Sequence, residues 1–392
     1  MRIVHCLRRV KLEDGGVVRC VLDLAGALAD AGHEVTLFTA DASDVPHEWR
    51  KSSTDTVCPR VVELPLDAGP SGTLVADTAS RAREAFTNAD IVHLHTAWYS
   101  SNPPLARLAT QTDTPYVVSI HGMLDDWSMA QRHLKKRLYL VLRGRAMLER
   151  AAFVHCTAEA EKDQSQRWYP KGTPRVVPLI MDLAPFEHLP GPHLARETFP
   201  DAFASGTEAP TILFLSRLHE KKGLHILIPA VAALHAANVP ATLLIAGTGE
   251  PAYERRCRAL VERHNLADHC HVLGLVTGET KLSVYQAADL LALPTAQENF
   301  GFVCPESLAC TTPVITTKGV DIWPELERSG GALIAGGTSD AFAKAIAELA
   351  SDPERRAAMG EHGRDWVFAN FAKDVVLSRF ESMYHDAIGA RP

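Results

Sequence analysis

LLALPTAQENFGFVCPESLACTTPVITT, residues Leu290–Thr317, is the stretch whose reading decides the fold. Its first residues form a short apolar run that ends at Pro294, the signature of a buried strand. A polar loop follows, Thr295–Gly301. Phe302–Cys310 then carries helix formers, with Pro305 tolerable in a first turn and Pro313 closing the segment. Val314–Thr317 reads as the next strand. The unit is strand, loop, helix, strand, and Glu298 and Glu306 bracket the point where loop becomes helix. A loop at the carboxyl end of a parallel strand, entering a helix N-terminus, suits anions and nucleotides. Gly301 has no side chain to keep a ligand from the backbone. A carboxylate accepts two hydrogen bonds at once, which fits vicinal sugar hydroxyls. Each Glu alone also reads as an ordinary loop acid or helix N-terminal charge; the pair in this setting favours a site.

The string E-N-F-G-F-x-x-x-E, preceded by Pro and followed by a P-V-I strand, resembles the Glu-x7-Glu motif of retaining GT-B glycosyltransferases, the class called glycosyl transferases group 1. That resemblance implies that Glu298, Asn299, Phe300 and Gly301 meet the donor sugar and that Glu306 holds the nucleotide ribose. The family usually has Gly before the closing Pro, where this chain has Thr311-Thr312.

Outward from this stretch, 392 residues predict two α/β domains rather than one core. The hydrophobic fraction of 46% and charged fraction of 22% are those of ordinary globular protein. No apolar run approaches the ~20 residues that cross a bilayer. The chain enters a strand at once, which predicts no cleavable leader. Eight scattered cysteines without a C-x-x-C pair argue against a disulfide framework or a zinc site. A cytoplasmic setting follows as the expectation. Lys/Arg and Asp/Glu balance up to residue 182, and the net charge of −7 falls wholly beyond it, a distribution foreign to nucleic-acid binding.

Met1–Leu7 predicts a first strand, and Gly15-Gly16 precedes a helix over Val17–Ala31 with apolar spacing at Val21, Leu24, Ala25 and Leu28. The glycine pair reads either as a plain turn or as a phosphate cradle. The resemblance places it facing the donor phosphates and the acceptor. His93 and His95 alternate on one strand without a carboxylate partner, which favours hydrogen-bonded histidines over a metal site. His121 ends the strand Tyr116–Ile120, where open α/β sheets hold ligands. In SIHGMLDDW it is similar to the His-Gly pattern of bacterial polysaccharide glycosyltransferases, which implies a place near the reacting centre. Residues 131–150 predict a basic amphipathic helix, interrupted at Gly144. It is either a solvated face or a dock for an anionic membrane or a lipid-diphosphate acceptor.

Residues 184–209, rich in Pro, Gly and Ala, read as the linker between a domain over 1–183 and one over 210–372. The second domain opens with a strand over Thr211–Leu215. Arg217 and Lys222 follow at the entry to a helix, where cations oppose the dipole and so point to a bound diphosphate. The resemblance also maps its Arg…Lys-Gly pair onto them. Further helices are expected over Asp340–Ala350, Pro353–Met359 and Lys373–Ile388. The last, within 373–392, is expected to return to the first domain.

The fold expected is α/β with two Rossmann-like domains facing a cleft, the GT-B architecture. The resemblance implies a retaining glycosyltransferase that moves a sugar from a nucleotide-diphosphate sugar to a saccharide or lipid-diphosphate acceptor in surface-polysaccharide assembly. His121, Arg217, Lys222 and Glu298 would act at the reacting centre, without a metal or a cofactor. Two other readings share the features: a nucleotide-sugar epimerase, which needs no acceptor, and a non-catalytic nucleotide-sugar-binding protein, which releases no nucleotide.

Overall fold

The computed structural model describes residues 1–50, 58–69, 72–204 and 209–390. The chain divides into two units, Met1–Met181 with Lys373–Pro392, and Asp182–Ala372.

The first unit holds seven parallel strands: β1 (Arg2–Cys6), β2 (Glu34–Thr39), β3 (Arg60–Glu63), β4 (Ile91–His95), β5 (Tyr116–Ser119), β6 (Phe153–Cys156) and β7 (Pro174–Val176). Their order across the sheet is β3-β2-β1-β4-β5-β6-β7. The second unit holds β8 (Thr211–Leu215), β9 (Thr242–Ala246), β10 (Cys270–Gly274), β11 (Leu290–Leu293), β12 (Val314–Thr316) and β13 (Ala332–Ile334), in the order β10-β9-β8-β11-β12-β13. In both sheets the first strand lies beside the fourth, so the winding reverses there and leaves a crevice at the carboxyl ends. Continuous apolar runs such as LLAL of β11 and TLLIA of β9 are what a sheet covered on both faces requires, and both are fully buried.

The helix Gly16–Asp30 buries Val18, Val21, Leu24, Ala25 and Leu28, the predicted apolar face. The last helix, Lys373–Gly389, lies in the first unit and packs Val376, Phe380, Met383 and Tyr384 against Ile3, Leu24, Leu28, Val35 and Val117. Each such side chain contributes ~1.5–3 kcal/mol on burial. Ion pairs Lys373–Asp30 (2.7 Å) and Arg175–Asp386 (2.7 Å), with a His33–Glu381 hydrogen bond (2.8 Å), fix its register at the surface.

Four sequence readings change. The segment expected as a linker, 184–209, carries helices Ala184–Glu187, His193–Thr198 and Pro200–Phe203 within the second unit; residues 205–208 lie outside the described residues, as do 391–392 of the expected C-terminal segment. Those helices are too short to show a period. They are held instead by hydrogen bonds to one helix, with Ala195 N–H donating to Ser283 Oγ (2.8 Å) and Gly191 N–H to Gln286 Oε1 (2.7 Å). The helix expected over Pro353–Met359 runs on to Phe371. Gly360 and Gly363, beyond the expected end, are sites of close packing: a Cβ at Gly360 would lie 2.0 Å from the Thr311 carbonyl oxygen, and one at Gly363 2.7 Å from Leu308 Cδ2. Residues 131–150 form two helices, His133–Tyr139 and Arg145–Arg150, joined by a π-turn over Leu140–Gly144. Finally, the helix Asn102–Gln111 and the strand β13 had no counterpart in the sequence reading.

Candidate active site

Within the second unit, the loops after β8 and β11 meet at the winding reversal. Gly223 lets them touch. It has φ +80°, and a Cβ there would lie 2.0 Å from the Pro294 carbonyl oxygen, so only glycine fits. Two further hydrogen bonds join the loops, Ala296 N–H to the Lys221 carbonyl (2.7 Å) and Thr295 Oγ1–H to the same oxygen (3.0 Å). The result brings Lys222 Nζ into direct contact with Glu298 Oε2. Arg217 is exposed on the same loop, close enough to bear on Lys222 electrostatically. That loop runs beside 247–249, where Gly247 and Gly249 admit the Ser216 and Leu218 carbonyls.

Lys222 is buried, and burial, reinforced by the Lys221 and Arg217 cations, pulls its pKa down to about 7. The Glu298 carboxylate against Nζ opposes that pull and favours the charged form. Glu298 is itself pinned through its backbone, with its N–H donating to Gly319 O (2.7 Å) and its carbonyl accepting from Asp321 N–H (2.9 Å). Gly301, at φ +67°, turns the chain behind it, and a Cβ there would press within 3.1 Å of Glu298 Cγ. Asn299 Nδ2 donates to Asp321 (3.1 Å), and Phe300 is buried against Phe302 and Phe371.

Glu306, in the helix Val303–Ala309, is held by two residues that the sequence reading did not single out. Lys281 Nζ lies 3.0 Å from Oε1, and Tyr285 O–H donates to Oε2 at 2.9 Å. Both stand four apart on the helix Gly278–Ala287, so their side chains share a face. That spacing was readable in the sequence; the target was not. The departure at Thr311 also has a geometry. Thr311 adopts φ +62°, a left-handed conformation that glycine takes freely and a β-branched residue takes under strain. Thr312 Oγ1–H to the Tyr285 carbonyl (2.7 Å) and Ser307 Oγ–H to the Thr312 carbonyl (2.9 Å) hold the turn. A cavity of about 420 Å³ opens beside the site between Ile226, Pro294–Ala296, Thr317–Gly319 and Ile334–Gly337, yet none of Arg217, Lys222, Glu298 and Glu306 lines it. Side-chain contact, rather than enclosed volume, marks the site.

In the first unit, Gly15 caps the helix Gly16–Asp30 at φ +102°, and a Cβ on Gly15 or Gly16 would meet nothing within 4 Å. His121 and Gly122 are both left-handed, φ +50° and +69°. Their turn is anchored by Glu161, a fully buried carboxylate missed in the sequence, which accepts from Gly122 N–H and from both the N–H and Oγ1–H of Thr157. Behind the turn lie four more buried histidines. His93 Nδ1 is 2.7 Å from Tyr384 Oη and its Nε2 2.6 Å from Ser119 Oγ; Ser119 Oγ is 2.6 Å from His155 Nδ1, and His155 Nε2 2.8 Å from the Val177 carbonyl. His5 Nδ1 is 2.9 Å from His95 Nε2, and His95 Nδ1 3.3 Å from His121 Nε2. Ring nitrogens of His5, His93 and His95 fall within 4.8 Å of one another, dimensions a metal could use, but the set includes no carboxylate and hydrogen bonds occupy both nitrogens of His93 and of His95. Burial lowers His5 and His121 to about 3 and His155 to about 4, and depresses His93 and His95 as well, so the cluster is neutral at physiological pH.

Two parallel-sheet Rossmann-like units of this strand order define the fold of GT-B glycosyltransferases. Among solved structures, the Anabaena protein HepE in complex with UDP superposes with a TM-score of 0.76 over 97% of this chain and 99% of its own, at 18% identity. The profile described as "Glycosyl transferases group 1" matches residues 195–366, and "Glycosyl transferase 4-like domain" matches 15–179. The chain belongs to the group 1 glycosyltransferases. A D-inositol 3-phosphate glycosyltransferase of Xylanimonas cellulosilytica is 28% identical over 96% of this chain and 93% of its own. A GDP-mannose-dependent alpha-(1-6)-phosphatidylinositol monomannoside mannosyltransferase of Mycobacterium tuberculosis is 27% identical over 76% of this chain and 77% of its own.

Proposed function

We propose that this glycosyltransferase moves a sugar, with retention of anomeric configuration, from a nucleoside-diphosphate sugar to a saccharide or lipid-linked acceptor. The observation that carries the reading is the Lys222–Glu298 contact at the second unit's winding reversal, with Arg217 beside it. An ammonium has three protons, so Lys222 can keep one on Glu298 and aim the others at a phosphate. Arg217 adds a bidentate fork for the same diphosphate. The oxygens of Glu298 accept from sugar hydroxyls, and Glu306, steadied by Lys281 and Tyr285, accepts from the ribose.

In the reaction, an acceptor oxygen bonds to the anomeric carbon on the face the diphosphate leaves. The carbon–phosphate-oxygen bond breaks, and the acceptor proton passes to the departing phosphate oxygen. Arg217 and Lys222 stabilise the charge that develops on the diphosphate, and no metal or other cofactor is required of the chain for that. Releasing nucleoside diphosphate from a panel of UDP-, GDP- and ADP-sugars, with and without acceptors, tests the assignment. Release that depends on an acceptor, with an axial or equatorial product bond matching the donor's, is expected; conversion of donor without any acceptor would show an epimerase.

The acceptor class has support from the first unit. Leu134, Leu138, Val141 and Leu142 are 59–73% exposed and recur at i, i+4, i+7, i+8, so they form one apolar stripe facing solvent. Residues 131–150 carry seven Lys/Arg and one acid. Apolar stripe plus basic flank suits an anionic lipid surface, and this supports a reading in which the enzyme works at the inner face of a cell membrane on lipid-linked acceptors of surface-polysaccharide assembly. The names of the two relatives, inositol phosphate and phosphatidylinositol, put phosphate-bearing acceptors first in the panel. No helix among the described residues is long and apolar enough to cross a membrane. Leu134→Glu with Val141→Glu should abolish co-sedimentation with phosphatidylglycerol vesicles and leave thermal unfolding unchanged, since both side chains are already in water. Retained vesicle binding would remove the membrane part of the proposal.

A further inference from the structure

Five buried histidines make two separate hydrogen-bond chains, and their directions can be read from their ends. In the first chain the end is fixed by chemistry. The Val177 carbonyl only accepts, so His155 carries its proton on Nε2 and presents a bare Nδ1. Ser119 O–H therefore donates to His155, its oxygen accepts from His93 Nε2–H, and His93 Nδ1 accepts from Tyr384 O–H. Every member is satisfied.

The second chain, His5–His95–His121, ends on His5 Nε2, which is buried without a partner among the described residues. Both directions of this chain make the same two inter-ring bonds. They differ only at the ends. Running from His121 toward His5 leaves an N–H buried with nothing to accept it. Running from His5 toward His121 leaves only a bare lone pair there. Buried N–H groups without acceptors are the rarer and costlier of the two. His5 Nδ1–H then donates to His95 Nε2, and His95 Nδ1–H to His121 Nε2. His121 is left with its proton on Nδ1, the nitrogen that has no partner among the described residues and is not among the buried atoms lacking one.

We propose that His5 and His95 act as positioning residues that lock His121 in the Nδ1–H form, so that it meets substrate as a hydrogen-bond donor to an oxygen, a sugar hydroxyl or a phosphate. The proposal rests on His121 facing substrate, as the proposed function has it. It excludes His121 as a general base through Nδ1. The depressed pKa values agree: an imidazole this far from protonation keeps a single, fixed proton across neutral pH.

The test is spectroscopic first. Two-bond 1H–15N correlation spectra of the 15N-histidine-labelled protein should show Nδ1–H for His5, His95 and His121, and Nε2–H for His93 and His155. Nε2–H at His121 would overturn the proposal whatever the enzyme transfers. His5→Glu puts an acceptor where His5 Nδ1–H donates: His95 Nε2–H should then donate to it, His95 Nδ1 accept, and His121 shift to Nε2–H, while His93 and His155 keep their pattern, which also reports that the unit has folded. His5→Phe removes the donor without supplying an acceptor, so His95 Nε2 is left bare and His121 should keep its Nδ1–H. Turnover should follow the tautomer, falling roughly tenfold in His5→Glu, short of the ~10²-fold that removing an aimed donor outright costs, and holding near wild type in His5→Phe. A tautomer shift with unchanged turnover would overturn the claim that this proton meets substrate, while leaving the relay and the glycosyltransferase assignment standing.

Discussion

The two units wind their sheets in the same order and fill the carboxyl ends with opposite chemistry. At the second unit's reversal stand Arg217, Lys221, Lys222, Glu298, Glu306 and Lys281, charged and, apart from buried Lys222, only partly covered. At the carboxyl ends of the first unit's central strands stand five imidazoles, buried and neutral. Holding charges near the surface in pairs avoids the full desolvation cost of burying them. Neutral rings can go to the core provided their hydrogen bonds are made. One unit is built for electrostatics, the other for direction, and each kind should fail in its own way when cut.

The largest effect should come from the charged end. Lys222→Ala or Glu298→Ala should lower transfer by ~10²–10³-fold, the usual cost of losing one group that stabilises developing charge. Both variants should still unfold cooperatively, because the pair sits on loops rather than in the sheet. Wild-type turnover in either would mean that the second unit's charges serve structure alone, and the contrast between the units would collapse.

Glu306→Ala should act on binding rather than on chemistry. With its carboxylate accepting from the ribose as proposed, its loss should weaken affinity for the free nucleoside diphosphate by roughly tenfold, the scale of one hydrogen bond to a charged group. Calorimetry on the free nucleotide measures it directly. An unchanged dissociation constant would assign Lys281 and Tyr285 to holding a structural acid.

The neutral end should respond in stability. Tyr384→Phe removes the donor to His93 Nδ1 and leaves that nitrogen buried without a partner, which costs ~1–3 kcal/mol. The urea midpoint should fall and the slope stay constant. Because every hydrogen bond of this chain, from Tyr384 to the Val177 carbonyl, lies within the first unit, transfer at low temperature should hold. A stability loss accompanied by a proportionate turnover loss would show that the neutral chain and the charged site are not separable.

The same division explains what could be read before any coordinates. The charged site was legible because its residues fall in two short stretches, 217–222 and 298–306, whose ends are fixed by Gly223, Gly301 and the flanking apolar strands. Its helpers, Lys281 and Tyr285, were not, because nothing in a ten-residue helix says which loop it will face. In the first unit His121 stood out by its place at a strand end. The relay behind it joins residues 5, 95 and 121 through strand pairing between β1, β4 and β5, and register across parallel strands is invisible until the sheet is assembled. Glu161 was hidden for a related reason: with Glu159 and Asp163 beside it in the short helix Glu159–Ser165 it reads as surface charge, and its burial depends on the turn it anchors. The stripe at Leu134, Leu138, Val141 and Leu142 carried the right period but said nothing of which side meets water, since periodicity shows that a face is apolar and not what covers it.

The smallest effect is a fraction of a proton, and it separates the two ends most cleanly. Burial and the Lys221 and Arg217 cations pull Lys222 down to about 7, against the pull of Glu298. Between that value and the ordinary lysine range the unfolded chain holds the proton more tightly than the folded one, so this group adds stability as pH rises through the window and withdraws it as pH falls back. A bound diphosphate reverses the bias, because two negative charges beside Nζ raise its pKa. At pH 8 nucleotide binding should therefore take up part of a proton, seen as a binding enthalpy that changes with the ionisation enthalpy of the buffer. Lys222→Met should abolish the dependence. The histidines, already neutral well below this pH, contribute nothing to it, so buffer-independent binding by the wild-type protein would mean that Lys222 does not meet the diphosphate at all.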